Sequence, residues 1–249
     1  MQALEGLKVL ELRTQLIAGP FAGKTLGEFG ADVIKIEAGR QRRPAAQLAP
    51  AAATARRCGG RCSRATSARL RSTCAAPEGQ DIARKLIAEA DVLIENFQPG
   101  TLEAWGMGYE ERCHELNPGL VMLRISGYGQ TGPYRDLPGF GAIGEAMGGL
   151  RHLTGEPGRV PVRVRRLDRR HARGAARRDR HPDRASPPQA STADSGQVID
   201  VALHEAVFNV MESLLPEYSA FGAVREARGQ RAAGHRAVER LPLQRRRTC

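Results

Sequence analysis

Short apolar runs alternate with amphipathic stretches along the first part of the chain. Leu7–Leu12 and Ala31–Glu37 are apolar runs of strand length. Between them, Ala18–Gly30 has apolar residues at helical spacing, a proline near its start and a glycine at its end, which predicts a helix. A strand, a helix and a second strand in close succession form a βαβ unit, which implies a parallel sheet with a right-handed crossover.

The alternation continues further along the chain. Glu78–Ala90 predicts an amphipathic helix, and Asp91–Glu95 and Leu120–Ile125 predict buried strands. Val198–Val201 predicts one more strand, and Leu203–Leu215 a long apolar helix after it. We therefore expect an α/β fold, with an incomplete, parallel, Rossmann-like sheet, flanking helices and ligand loops at the carboxyl ends of the strands.

Three arginine-rich segments interrupt this pattern. They are Gly39–Ala76, Arg163–Asp194 and Arg225–Cys249, and they hold 27 of the 34 arginines, no lysine and six acidic residues. Their summed charge is +21, whereas the rest of the chain carries −10, which together give the net charge of +11. Such charge with so few large apolar groups does not offset the entropy of ordering, so we expect these segments to be disordered inserts.

The charge also allows an alternative function. Arginine-rich arms bind phosphate backbones, so the chain could be an arginine-rich nucleic-acid-binding protein. However, all three segments lack lysine and aromatic stacking residues, and they interrupt βαβ units where core strands are expected. We expect incidental attraction of polyanions but no specific nucleic-acid partner.

Two motifs imitate known binding signatures. "GYGQTG" (Gly127–Gly132) fits G-x-G-x-x-G, but Pro133 and Tyr134 follow it instead of a helix, so the stretch predicts a loop and not a dinucleotide site. "HEAVF" at His204 begins like a zinc-protease motif but has no second histidine four residues later. His204 is therefore better read as a residue at a helix start.

The cysteines and the amino-terminal residues narrow the chemistry further. The five cysteines show no C-x-x-C spacing and no histidine partners, so we expect no metal site and a reduced protein. The first residues lack a basic stretch followed by an apolar one, and no apolar run reaches the length of a membrane span. The sequence therefore predicts a cytoplasmic protein without a membrane partner.

Several blocks of the sequence resemble one enzyme family. "AGPFAGKTLGEFGADVIKIE", "ADVLIENFQPG", "RISGYGQTGPY" and "GQVIDVALHEAVF" together are similar to the family III CoA-transferases of the carnitine dehydratase and bile-acid-inducible type. The resemblance implies an α/β enzyme that moves coenzyme A between an acyl-CoA and a carboxylic acid. It also implies an aspartate nucleophile, which forms a mixed anhydride and then an aspartyl-CoA thioester. The resemblance further implies an interlocked homodimer, an arrangement that we do not expect of this interrupted chain.

The resemblance places coenzyme A contacts on loops that follow three predicted strands. The candidate residues are Ile17, Ala18, Asn96, Phe97, Gln98, Gly127 and Gly129. The short backbone at Ile17–Ala18 suits N–H groups near the thioester, and the segment from Asn96 to Gln98 resembles the one that holds the adenine and pantetheine side. Asn96 could instead cap the end of a strand, and Phe97 could belong to the core.

The family's nucleophile is missing from the expected place, so we assign no catalytic residue. Read one nucleotide later, a permitted set of codons for Arg165–His171 encodes Gly-Val-Ser-Ile-Gly-Asp, the segment where the family has its aspartate. Displaced readings of "RCGGRCSRATSARLRS" and "ERLPLQRRRTC" also give family-like sequence. We therefore interpret the arginine-rich segments as out of frame, and we expect a truncated chain without transferase activity.

This interpretation divides the chain into four parts. Residues 1–162 are the first part of the large domain, with 39–76 out of frame, and residues 163–194 are an out-of-frame segment. Residues 195–224 return to a family-like strand and helix, and 225–249 are an out-of-frame tail. The acyl-CoA racemase branch of the same family is an alternative, but Phe140 stands where that branch needs a titratable base.

Overall fold

The computed structural model describes residues 2–12, 18–37, 67–72, 74–164, 196–211 and 213–227. Six parallel strands form one sheet with the order β3-β2-β1-β4-β5-β6. The strands are β1 Lys8–Leu12, β2 Asp32–Glu37, β3 Ser67–Arg71, β4 Val92–Glu95, β5 Val121–Ser126 and β6 Gln197–Ala202. The predicted α/β fold with a parallel sheet is confirmed.

Helices connect and cover the strands. They are α1 Ala18–Glu28, α2 Pro77–Ile87, α3 Thr101–Ala104, α4 His114–Leu116, α5 Gly141–Met147, α6 Leu150–Leu153, α7 Leu203–Asn209 and α8 Leu214–Phe221, and a π-helical turn, Tyr109–Cys113, precedes α4. From β1 the chain runs outward through β2 to β3, and from β4 it runs the other way to β6. The carboxyl ends of β1 and β4 therefore flank the point where the strand order reverses, which is where open α/β sheets bind ligands.

Both faces of the sheet are buried, which explains why the strands read as continuous apolar runs. Successive side chains of a strand point to opposite faces. On one face, Val9 and Ile94 pack in a cluster with residues of α1. On the other face, Leu10 and Leu93 pack in a cluster with residues of α2.

A buried ion pair lies beneath α1. Glu11 and Lys35 are register partners on β1 and β2, their side chains are almost fully buried, and the Lys35 ammonium bonds to the Glu11 carboxylate. A Cβ at Gly23 would lie 2.8 Å from Glu11 Oε2, so a glycine is needed for α1 to approach the sheet over this pair.

The first arginine-rich segment differs from its prediction. We expected Gly39–Ala76 to lack regular structure, yet Ser67–Arg71 forms β3 at the edge of the sheet and pairs with β2 from Val33 to Glu37. The pairing uses backbone groups, which any sequence carries, and an edge position demands less apolar burial than a central one. Residues 39–66 and 165–194, and residues 228–249 of the third segment, lie outside the described residues.

The helix predicted after the last strand is also different. Leu203–Leu215 is not one helix, because α7 ends at Asn209 and α8 begins at Leu214. Hydrogen bonds from the amides of Val210 and Met211 to the carbonyls three residues back tighten the end of α7.

From the apolar spacing of Leu203–Leu215 we expected Val207, Phe208, Met211 and Leu214 to be partly exposed, and this prediction is only partly right. Phe208 is 47% exposed and Leu214 is half-buried, as expected, but Val207 and Met211 are buried. Val207 is covered because Gly148, next to the end of α5, lets α7 approach closely: a Cβ there would lie 2.6 Å from that of Val207.

Candidate ligand site

Loops after adjacent parallel strands form the candidate site. β4 is hydrogen-bonded to both β1 and β5, so the carboxyl ends of all three strands lie at one edge of the sheet. The loops after β4 and β5 are joined directly, because the Gln98 side-chain amide nitrogen donates a hydrogen bond to the Asp136 backbone carbonyl over 2.9 Å. Ile17 lies outside the described residues, whereas Ala18 is the first residue of α1 at this edge.

The start of α1 brings backbone N–H groups toward the loops. Ala18 is half-buried and packs against the cluster on the α1 face, and Gly19 is buried. The first N–H groups of a helix have no partner within the helix and favour anions. The arrangement therefore offers donors beside the carboxyl end of β1.

The loop after β4 is held by contacts of Phe97 with residues just before and after the loop. The Phe97 amide donates to Glu95 Oε2 over 2.7 Å, and the Phe97 ring meets the edge of Trp105, with ring centroids 5.1 Å apart. Phe97 thus packs on the core, as one interpretation of its sequence context suggested. Asn96 Oδ1 is buried and accepts no hydrogen bond within the described chain, so this oxygen does not cap the strand end.

A triad of charged side chains lies beneath this loop: Glu95 on β4, Arg124 on β5 and Glu103 on α3. Arg124 Nε donates to Glu95 Oε1 over 2.7 Å, and Arg124 Nη1 and Nη2 donate to the two Glu103 oxygens over 2.7 and 3.2 Å. Glu95 and Arg124 are register partners and are buried.

The environment shifts the pKa values within the triad in different directions. Burial raises the pKa of Glu95, although Arg124 and the Phe97 amide oppose the shift. Burial also tends to raise the pKa of Glu103, but its hydrogen bonds with Arg124 outweigh this, and the pKa lies below its ordinary value. Burial opposes the charge on Arg124, yet hydrogen bonds to both carboxylates raise its pKa. Sequence reasoning missed the triad; its only signal was a charged residue near the end of each apolar run.

The loop after β5, here called the glycine loop, runs from Gly127 to Phe140, and its two ends touch. A Cβ on Gly127 would lie 2.4 Å from the Gly139 Cα, so the backbones of these two glycines touch. After β5 the next helix begins at Gly141, which confirms the prediction that "GYGQTG" is a loop. Gly129 has φ of +88°, a conformation that favours glycine.

Side chains from β5 and β6 fix the first part of this loop. Ser126 Oγ accepts the Gly129 N–H over 2.9 Å, and Asp200 Oδ2 accepts the Gln130 N–H over 2.7 Å. The Tyr128 ring packs against His204, with centroids 5.9 Å apart. Gln130 Nε2 is buried and has no acceptor among the described residues.

A buried carboxylate lies on α5 beyond the glycine loop. Glu145 is fully buried, with Arg163 Nε 3.4 Å from Oε1 and Arg151 Nε 3.8 Å from Oε2. The ion pair with Arg163 holds the extended segment before residue 165. The expected position of the family's aspartate, between Arg170 and His171, lies outside the described residues.

The residues that the structure describes contain no group of three or more His, Cys, Asp or Glu side chains that could hold a metal ion. Within the same residues, none of the helices has both the length and the hydropathy needed to cross a bilayer. Cys74 and Cys113 are buried, and burial raises the pKa of the Cys113 thiol to about 11. The Cys113 thiol is therefore not a candidate nucleophile, because only the thiolate is reactive.

Comparison with known proteins identifies a family. The family model of CoA-transferase family III matches residues 4–167. A succinyl-CoA–D-citramalate CoA-transferase from Chloroflexus aurantiacus is 41% identical over 231 residues, which cover 91% of this chain and 55% of that protein. The human succinyl-CoA:glutarate CoA-transferase is 38% identical over 167 residues, which cover 66% of this chain and 37% of that protein.

A solved structure agrees with this result. The crystal structure of a CAIB/BAIF family protein from Brucella suis superposes with a TM-score of 0.74 at 31% sequence identity, covering 92% of this chain and 60% of that one. The chain spans about half the length of the curated relatives it matches most fully.

Proposed function

This chain belongs to CoA-transferase family III, and we propose that its loops bind acyl-CoA as part of an enzyme that moves coenzyme A between carboxylic acids. The carboxyl edge of β1, β4 and β5 is the binding edge in this proposal. The loops there come from adjacent strands, and two of them are joined by the hydrogen bond between Gln98 and Asp136.

One observation carries the proposal. Asn96 Oδ1 is a buried acceptor that no donor of the described chain satisfies. Leaving a buried polar group unpaired costs about 1–3 kcal/mol, so such an atom at a ligand edge calls for a donor from outside the described residues, and a bound ligand can supply one. Coenzyme A has an adenine amino group and two amide N–H groups, and each of them can donate to this oxygen.

The other candidate residues have distinct roles in this proposal. Ile17 and Ala18 would offer backbone N–H groups to the thioester oxygen. Phe97 would support the cofactor side of its loop, since its own amide is already bound to Glu95. Gln98 would line the loop, and Gly127 and Gly129 would shape the wall beside the acyl group.

The relatives suggest the substrates. Their names pair succinyl-CoA with citramalate, malate or glutarate, which are all dicarboxylates. We propose a succinyl-type acyl-CoA as donor and a dicarboxylic acid as acceptor. The racemase alternative is disfavoured by Phe140, which is half-exposed beside the glycine loop and cannot abstract a proton.

In the complete reaction an aspartate carboxylate attacks the thioester carbonyl, and the coenzyme A thiolate leaves to give a mixed anhydride. The thiolate then attacks the aspartyl carbonyl, which releases the first acid and leaves an aspartyl-CoA thioester. The acceptor carboxylate repeats these two steps in reverse. We propose that this chain performs the binding but not the transfer, because Arg170 and His171 stand at the place where the family is expected to have its aspartate.

Location and partners follow from the same proposal. We propose a cytoplasmic protein whose ligands are acyl-CoA and a carboxylic acid, with no metal, specific nucleic acid or membrane among its partners. An interlocked homodimer like that of the family is not part of the proposal.

Calorimetric titration with coenzyme A tests the binding. The unaltered chain should bind, and Asn96→Ala should weaken binding about tenfold through loss of one buried hydrogen bond. The matched control is Gln197→Ala, which removes an exposed amide at the amino end of β6, and it should bind like the unaltered chain. Equal affinity in Asn96→Ala, or no binding by the unaltered chain, would count against the site.

Isotope exchange tests the missing transfer. Labelled succinate and succinyl-CoA should show no exchange above the protein-free rate. Asp168 is the nearest aspartate in sequence to the expected nucleophile. Exchange that disappears in Asp168→Asn would show that the chain has a working nucleophile after all.

A further inference from the structure

We propose that Arg124 is a positioning residue: together with Glu95 and Glu103 it holds the Asn96–Gln98 loop in the conformation that receives coenzyme A. The inference rests on the proposed function, because it assigns a cause to the shape of the same binding loop.

The hydrogen bonds of Arg124 connect the two ends of the loop. Glu95 ends β4, Glu103 lies in α3, and both carboxylates bind the single guanidinium of Arg124 on β5. The chain between them turns at Gly100, which has φ of +83°. Both ends of the loop are therefore fixed to one point on the neighbouring strand.

The same set of hydrogen bonds includes a backbone group of the loop, the Phe97 N–H. Glu95 uses one carboxylate oxygen for Arg124 and the other for the Phe97 amide, each over 2.7 Å. A rotation of the Glu95 side chain would break both bonds together. Arg124 thus orients the Phe97 amide through the Glu95 carboxylate. Asn96 and Gln98 are the sequence neighbours of Phe97, so the same contact sets the direction of their side chains.

Stability alone does not account for such a triad. Burying charged groups is costly, and a buried ion pair is often no more stabilising than apolar residues of the same volume. Glu95 is 1% and Arg124 8% exposed, so both pay this desolvation cost. What the planar guanidinium supplies is geometry, since its fork engages two carboxylates in fixed directions.

The chain contains its own reporter of the loop. Trp105 is the single tryptophan, and its ring meets Phe97 edge to face at an interplanar angle of 74°. Tryptophan emission therefore reports the position of Phe97 without any added label.

The test compares Arg124→Met with Arg112→Met, which removes an exposed arginine paired to Glu115. Arg124→Met should weaken coenzyme A binding at least about tenfold, shift the Trp105 emission and speed amide hydrogen exchange at residues 96–98. Arg112→Met should leave all three unchanged. Arg124→Lys should not rescue binding, because one ammonium cannot replace the two-sided fork.

A second variant keeps the test valid if Arg124→Met does not fold. Glu103→Gln leaves the Glu95–Phe97 bond in place, so it should fold, weaken binding only about threefold and produce a smaller emission shift. Folded variants with unchanged emission, exchange and affinity overturn the inference. If the unaltered chain does not bind coenzyme A, the proposed function fails, whereas emission and exchange at the loop still decide the positioning role.

Discussion

The chain up to Ser126, the first part, and the chain from Gly127 onward, the second part, differ in how many of their large apolar side chains are exposed. Up to Ser126, Phe29 and Ile82 are the exposed large apolar side chains of the described residues. From Gly127 onward there are thirteen: Tyr134, Leu137, Phe140, Met147, Val160, Val162, Val198, Phe208, Val210, Leu215, Tyr218, Phe221 and Val224. The first part forms one core cluster with α1 and another with α2, and Ile199, Val201 and Leu203 of the second part pack against the cluster of α1. The second part leaves many more apolar side chains exposed among the described residues, and such side chains promote association where they adjoin one another.

The largest effect should come from the core of the first part. Leu93→Ala removes a fully buried side chain from β4 and should lower the free energy of unfolding by about 3–4 kcal/mol. Phe221→Ala removes an 83% exposed ring and should change it by less than about 0.5 kcal/mol. Urea unfolding of both variants makes the measurement. Similar losses in the two variants would erase the difference between the regions.

The next effect concerns a close packing contact in the second part, between α5 and α7. Gly148→Ala places a methyl group 2.6 Å from Val207 Cβ and should cost about 1–3 kcal/mol through overpacking. The double variant Gly148→Ala/Val207→Gly should lose less than the sum of the single losses, because it removes the Cβ and Cγ1 of Val207 that the added methyl group would meet. Additive losses in urea unfolding would mean that the two residues do not touch in solution.

A smaller effect concerns the charges buried in the first part. Because the pKa of Glu103 lies below its ordinary value, its ionised form stabilises the fold above the unfolded pKa, and this contribution is lost as the pH falls through the folded pKa. Glu95 acts in the opposite sense: its pKa is raised, so protonation relieves its desolvation cost as the pH falls.

Urea unfolding at several pH values tests this. The stability difference between the unaltered chain and Glu103→Gln should shrink as the pH falls from about 6 to about 3. Glu115→Gln, at an exposed ion pair, is the control and should show no comparable trend. A difference that stays constant with pH would contradict the assigned shift.

The smallest effect on stability should accompany a clear effect on association. Phe221→Ser combined with Leu215→Ser should leave the free energy of unfolding within about 0.5 kcal/mol, because both side chains are already exposed. It should nevertheless reduce concentration-dependent light scattering. Phe29→Ser, at an isolated exposed ring of the first part, is the matched control. If the control reduces scattering equally, the second part is not the associating surface.

The regions also differ in how far their sequence predicted them. β1, β2, β4 and β5 were predicted within one or two residues, because a strand buried on both faces shows as a short apolar run. β3 was missed because it lies within the arginine-rich stretch, where an edge strand needs only backbone pairing. The break between α7 and α8 was missed because apolar spacing continues across it, and only the hydrogen bonds at Val210 and Met211 reveal the end of α7.

For the candidate site, the sequence indicated the loops but not their connections. Gly127 and Asn96 were singled out from the resemblance, and their place at the carboxyl edge follows from strand order. The pairing of Glu95 with Arg124 depends on the register between β4 and β5, and sequence does not reveal a register between strands buried on both faces. The unsatisfied Asn96 oxygen likewise appears only when every neighbour is in place.

The contact between Gly127 and Gly139 makes the eleven residues from Tyr128 to Pro138 an exchangeable module. Because the ends of the loop already touch, its length and composition can vary without moving β5 or α5, as in Ω-loops whose ends lie together. In the proposed site this loop lies beside the acyl group, so we expect exchange of this segment to alter the preference for the acid while the strands of the sheet stay in place. Grafting the corresponding segment between two relatives tests this expectation, because acid preference should then change without a redesigned core.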